Sequence, residues 1–131
     1  MSTLIVLAKE CLPGRAKTRL HPPLTLEEAA EVASAALADT LELARAVRAD
    51  RHLLWFDGTP PRGHGFEVRQ QPHGTLDTRL AAAFDACQGR TLLIGMDTPQ
   101  ADHRVLQAVL DDTSGADAWF GPAANLSLIH I

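Results

Sequence analysis

Lys9, Arg15, Lys17 and Arg19 crowd into one short stretch with Glu10 as its only anion, in a chain of 131 residues whose formal net charge is -4. Cations concentrated in one loop of an acidic chain suit a polyanionic ligand better than general solubility. Gly14 gives the loop conformational freedom and lets a ligand approach the backbone, Pro13 stiffens the turn, and the loop amides add their dipoles to the side-chain charges. Nucleotide phosphates match that chemistry. The same residues would also serve a solvated loop that only balances the acidic body. The Lys17, Thr18 pair does not make a Walker A loop, because Ala16 stands where that motif needs glycine. With a single glycine the loop also lacks a dinucleotide fingerprint.

A second position with chemical potential is Asp97. It follows the apolar run at 91–95, so its carboxylate should leave a strand end, where it can hold a hard divalent cation such as Mg2+ or Mn2+ among phosphate oxygens and water. Its other reading is a turn or helix cap ahead of Thr98 and Pro99. The six histidines are scattered, and Cys11 and Cys87 make no CxxC pair. A zinc site is therefore not expected, and reduced thiols are expected rather than a disulfide. His103 and Cys11 have no recognisable catalytic partner and receive no role.

The elements that must position these residues follow from hydrophobic spacing. The branched, wholly apolar core of 3–8 predicts a strand covered on both faces. From Leu26, apolar residues recur in steps of three and four at Ala30, Ala33, Leu37, Leu41 and Ala44, which predicts a long amphipathic helix. Thr25 with Glu28 forms its capping box. Strands are predicted at 52–56, 66–70, 91–95 and 117–120, and helices over 76–87 and around 105–110. Alternating strands and helices imply an α/β fold of one domain with a mainly parallel sheet, whose ligands bind beyond the carboxyl ends of the strands. That rule selects the loops after Ala8 and after Gly95. No stretch is apolar enough to cross a bilayer and no basic leader precedes the first strand, so a cytoplasmic protein is expected. Nucleic acid is not an expected partner, since the cations are confined to one loop and aromatic residues are 5% of the chain.

The runs Ala8, Lys9 and PGRAKTRL at 13–20, then GTLDTRL at 74–80, LIGMDTP at 93–99 and FGPA at 120–123, resemble the radical-SAM/selenodomain-associated glycosyltransferase-like family, a former domain of unknown function. The resemblance extends to Ala123. It implies a three-layer nucleotide-diphospho-sugar transferase fold of the GT-A type, similar also to phospholactate and molybdenum cofactor guanylyltransferases. It adds Gly74 and Arg79 to Lys9, Gly14, Arg15, Lys17 and Arg19 as nucleotide- or phosphate-binding positions, and it favours Asp97 as the metal ligand. Arg79 could equally be a surface arginine near a helix start, and Asp77 a first-turn acid placed by the helix dipole.

The expected function is thus a metal-assisted transferase acting on a nucleotide or nucleotide sugar, glycosyl transfer being the first reading. Guanylyltransferase-like nucleotidyl transfer with release of pyrophosphate is an alternative, as is a catalytically silent nucleotide-binding module or inactive fragment. No catalytic residue is assigned. The family continues after Gly-Pro-Ala with an acidic residue and an Asp-Gly-Gly-aromatic motif, whereas this chain reads Ala124, Asn125, Leu126. The last six residues, LSLIHI, match a translated transposon end used to tag DNA fragments for sequencing. Residues 1–125 are therefore expected to be the N-terminal part of a C-terminally truncated domain and 126–131 a non-native tail. Reading the source locus past the codon for Asn125 tests this: an open frame encoding the Asp-Gly-Gly-aromatic segment is expected, and a stop after an authentic Ile131 codon would refute it.

Overall fold

The computed structural model describes residues 2–13, 23–87, 89–96, 103–111, 119–120 and 128–130. Its centre is β1 (Ser2–Lys9), in which Thr3, Leu4, Ile5, Val6 and Ala8 are all buried. β1 pairs in parallel with β2 (Arg51–Asp57) on one side and β4 (Arg90–Gly95) on the other, with Val6 opposite both Leu54 and Ile94. β3 (Glu67–Gln70) adds a fourth parallel strand beyond β2.

Strand alternation divides the core between the two faces. Leu4, Val6 and Ala8 join Leu54, Phe56, Leu92 and Ile94 on one face, under Leu37, Leu41 and Ala44 of α1 (Leu26–Ala46) and Leu106 and Leu110 of α3 (His103–Leu110). Ile5, Leu53, Trp55 and Leu93 line the other, under Ala83 of α2 (Leu76–Asp85) with Leu80 and Phe84. Two helices, a sheet and a third helix make the expected three layers.

α1 starts where its capping box predicts, with Thr25 Oγ1 accepting from Glu28 N at 3.1 Å and Glu28 Oε1 accepting from Thr25 N at 2.9 Å. These bonds hold the exposed Glu28 carboxyl below its usual range. The buried face of α1 is mostly alanine, which brings its backbone close to the sheet. Within that face the buried hydroxyl of Thr40 lies 2.8 Å from Ala36 O and 2.9 Å from Met96 O, so one proton serves the helix and the residue that follows β4.

Two details depart from the spacing rules. Phe66, expected in a strand, is buried just before β3 and packs edge-on against His52 and His64. α2 stops at Asp85, with Ala86 as its cap, two residues short of the predicted end. In the last predicted strand the described part is β5 (Trp119–Phe120), while 117 and 118 lie outside the described residues. β6 (Leu128–His130), within the six residues set apart as a tail, pairs antiparallel with β4 and with β5, completing the order β3-β2-β1-β4-β6-β5.

Strand order reverses at β1: the chain steps outward through α1 to β2 and β3, then returns through α2 to β4 on the other side. In such sheets the crevice at the carboxyl ends of the strands flanking the reversal receives the ligand. No described helix is long and apolar enough to cross a membrane. Replacing Thr40 by Val preserves shape but removes the donor to Met96 O. It should cost about 1–3 kcal/mol, read as a lower urea midpoint at unchanged m-value.

Candidate functional site

At the carboxyl ends of β1 and β2 lies a cleft of about 200 Å³ lined by Lys9, Glu10, Asp57, Gly58 and Arg79. β1 and β2 deliver the first four residues in register, since Lys9 pairs with Asp57. α2 delivers Arg79 from its first turn: Thr75 caps the helix by accepting from Thr78 N at 3.4 Å. Gly74, just ahead of that cap, has φ +134°, and a Cβ there would sit 3.3 Å from the Thr78 side chain. Glycine at 74 is thus required by the turn that launches α2, and the residue does not line the cleft.

Among the described residues the cleft carries two cations and two carboxylates, and the carboxylates are engaged. Glu10 Oε1 accepts from Thr59 N at 3.0 Å, and Asp57 Oδ2 lies 3.7 Å from Arg79 Nη1. Glu10 N also donates to Asp57 O at 2.8 Å, tying the exits of the two strands together. Gln70 Nε2 donates to Gly58 O at 3.0 Å and closes the outer wall.

Gln71 joins more of this site than any described residue singled out from sequence. Its Nε2 donates to Ala8 O at 2.8 Å and Trp55 O at 3.0 Å, and its Oε1 accepts from Arg79 Nη1 at 3.3 Å. The Arg79 side chain is 31% exposed, and its buried Nε has no hydrogen-bond partner among the described residues.

Of the positions chosen from sequence, Lys9 and Arg79 therefore meet across one cleft, and Gly74 shapes the approach to it. Gly14, Arg15, Lys17, Arg19 and Asp97 lie outside the described residues. The chain leaves the description at Pro13, after Lys9, and Asp97 follows Met96, whose carbonyl is held at the same sheet edge by Thr40. Among the described residues no group of three or more His, Cys, Asp or Glu side chains is placed to hold a metal ion. Glu10 and Asp57 are committed to protein donors, and β4 ends at Gly95, which pairs with Leu7 of β1.

A parallel sheet with helices on both faces and a crevice at its reversal point defines a nucleotide-diphospho-sugar transferase fold, and solved structures share it. A protein from Desulfovibrio desulfuricans G20, provisionally assigned as a nucleotide-diphospho-sugar transferase, superposes with TM-score 0.84 at 24% identity over 98% of this chain and 62% of its own. The chain thus spans about three fifths of that structure's length. CMP:2-keto-3-deoxy-manno-octonic acid synthetase complexed with CTP matches with TM-score 0.61 at 14% identity, over 91% of this chain and 51% of its own. Rv0371c from Mycobacterium tuberculosis H37Rv, in complex with manganese, matches with TM-score 0.59 at 19% identity, over 98% and 69%. No curated protein matches the chain by sequence. Residues 26–125 match the family of uncharacterized proteins conserved in bacteria designated DUF2064, and the chain belongs to that family.

Glu10, Asp57, Gly58 and Gln71 were not chosen from sequence. Glu10 counted only as the lone anion of the basic loop, and Asp57 and Gly58 lie just past the strand predicted at 52–56. For Gly58 a signal exists, because its φ of +110° favours glycine and a Cβ there would lie 2.7 Å from both Cβ and Oε1 of Glu10. Gly58→Ala should therefore displace Glu10 and lower stability by roughly 1–3 kcal/mol. Gly63→Ala, at φ +78° with nothing within 4 Å, should cost less; melting temperatures of the two variants check the order.

Proposed function

We propose that the chain carries the nucleotide-binding part of a metal-assisted cytoplasmic transferase, with transfer of a glycosyl group from a nucleotide sugar as its reaction. The observation that carries this reading is the Lys9 and Arg79 cleft at the carboxyl edge of a sheet whose order reverses at β1. Lys9 and the loop residues Gly14, Arg15, Lys17 and Arg19 would hold the diphosphate, and Arg79 would add a fixed cation at the cleft. Asp97 would hold Mg2+ or Mn2+, which when bound offsets charge on the diphosphate. The protein groups act by positioning and charge stabilisation, and no side chain is needed as a nucleophile.

Nucleotidyl transfer is the second reading, favoured by the likeness to a synthetase whose structure holds CTP. The two break different bonds. Release of a nucleoside diphosphate from a nucleotide sugar indicates glycosyl transfer; release of pyrophosphate from a nucleoside triphosphate indicates the other. Binding without turnover of either would assign a silent nucleotide-binding module.

A thermal-shift series with UDP-glucose, GDP-mannose, CTP and GTP, with and without MnCl2, tests the binding step. At least one nucleotide should raise the melting temperature, and manganese should enlarge the shift. Replacing Lys17 and Arg19 together by Ala should abolish the shift with the unliganded melting temperature unchanged. Asp97→Asn should abolish only the manganese increment. No shift with any nucleotide would overturn the proposal, and a full manganese effect in Asp97→Asn would move the metal elsewhere.

A further inference from the structure

The bonds around Gln71 are directional in a way that leaves its amide a single orientation. Backbone carbonyls only accept and a guanidinium only donates. With Ala8 O and Trp55 O on one side, Gln71 must present Nε2 to them, and its Oε1 then faces Arg79. Turning the amide over would set an oxygen against two oxygens and an NH2 against a cation. The two carbonyls belong to β1 and β2, buried strands locked in register by the Ala8 with Phe56 pairing. Gln71 itself is fixed by its own amide, which donates to Phe56 O at 2.8 Å. Gln71 is therefore anchored to the rigid sheet at three points, two through its side-chain Nε2 and one through its backbone N–H, and its side-chain oxygen faces the helix.

Arg79 is a long side chain with several rotatable bonds, and its other contact, Asp57 at 3.7 Å, is partly exposed and cannot by itself fix the guanidinium plane. We propose that Gln71 is a positioning residue: it transfers the rigidity of the β1 and β2 ends to Arg79, aiming the guanidinium into the cleft to meet an oxygen of the nucleotide. This rests on the nucleotide reading above. Gln71 and Asp57 both meet Nη1, so the guanidinium of this 31% exposed side chain has further N–H donors to offer an anion. Gln71 touches no nucleotide in this scheme and acts only through Arg79.

Two measurements separate this inference from the nucleotide reading. In nucleotide-free protein, the Nη1 protons of Arg79, which donate to Gln71 Oε1, should exchange slowly with water in 15N-detected spectra, and Gln71→Met should abolish that protection. An unchanged signal overturns the inference whether or not nucleotides bind. With CTP or GTP, whichever binds in the presence of MnCl2, Gln71→Met should weaken affinity about tenfold. In an Arg79→Met background the same change should matter by less than about twofold, because the path through Arg79 is already cut. Equal losses in both backgrounds would show that Gln71 acts on the fold at large and would overturn it. Should Gln71→Met fail to fold, Gln71→Glu replaces it: its carboxyl still accepts from Arg79 but, with a single proton, donates to one of the two carbonyls and only when protonated. Stability should then rise as pH falls through the carboxyl range with Arg79 protected throughout, and loss of that protection would overturn the pairing.

Discussion

Carbonyl groups at the carboxyl ends of the parallel strands must find donors where the sheet gives way to loops, and the site is organised around the side chains that supply them. Buried backbone acceptors are satisfied almost without exception in folded proteins. Here Gln71 reaches the carbonyls of Ala8 and Trp55, and Thr40 reaches that of Met96. The three carbonyls sit at the ends of β1, β2 and β4, the strands that surround the reversal of sheet order. The groups that finish the sheet thereby lie at the edge where the cleft opens, and Gln71 among them holds the cleft residue Arg79.

Charge follows from that arrangement. Lys9 and Arg79 are brought together by different elements, a strand end and a first helical turn, while Glu10 and Asp57 are occupied with a backbone amide and a guanidinium. Glu10 thus braces the cleft through a backbone amide, while Asp57 shares Arg79 with any anion that enters. Elsewhere the same logic is merely structural: Arg51 binds Glu67 at 2.9 Å across the β2 and β3 pair and holds that carboxyl below its usual range, far from any cleft residue.

The strands, helices and layers were legible in the sequence because each rests on local periodicity: both faces of 3–8, the three-and-four spacing after Leu26, and the Thr25 and Glu28 cap all appear as read. Lys9 and Arg79 were legible because charge at a strand end and a recognisable run around 74–80 drew attention to them. Gln71 was not, since its importance lies in contacts with Ala8, distant in sequence, and with Arg79, one element later. Nothing in the residues on either side of it marks a polar side chain that will be turned inward. Asp57 and Gly58 were not legible either, because the contact that gives Gly58 its meaning comes from Glu10 at the end of another strand.

The central position of β1 has a consequence for how the chain is made. Its first partner, β2, emerges from the ribosome after α1, but its second, β4, is synthesised only after β3 and α2 have followed. Until then one hydrogen-bonding edge of an almost wholly apolar strand stands open, the form of edge through which nascent chains pair with one another. Leu92, Leu93 and Ile94 close that edge when they arrive. The interval between translation of Val6 and of Ile94 is therefore the period in which the nascent protein depends most on shielding by the ribosome surface and by chaperones.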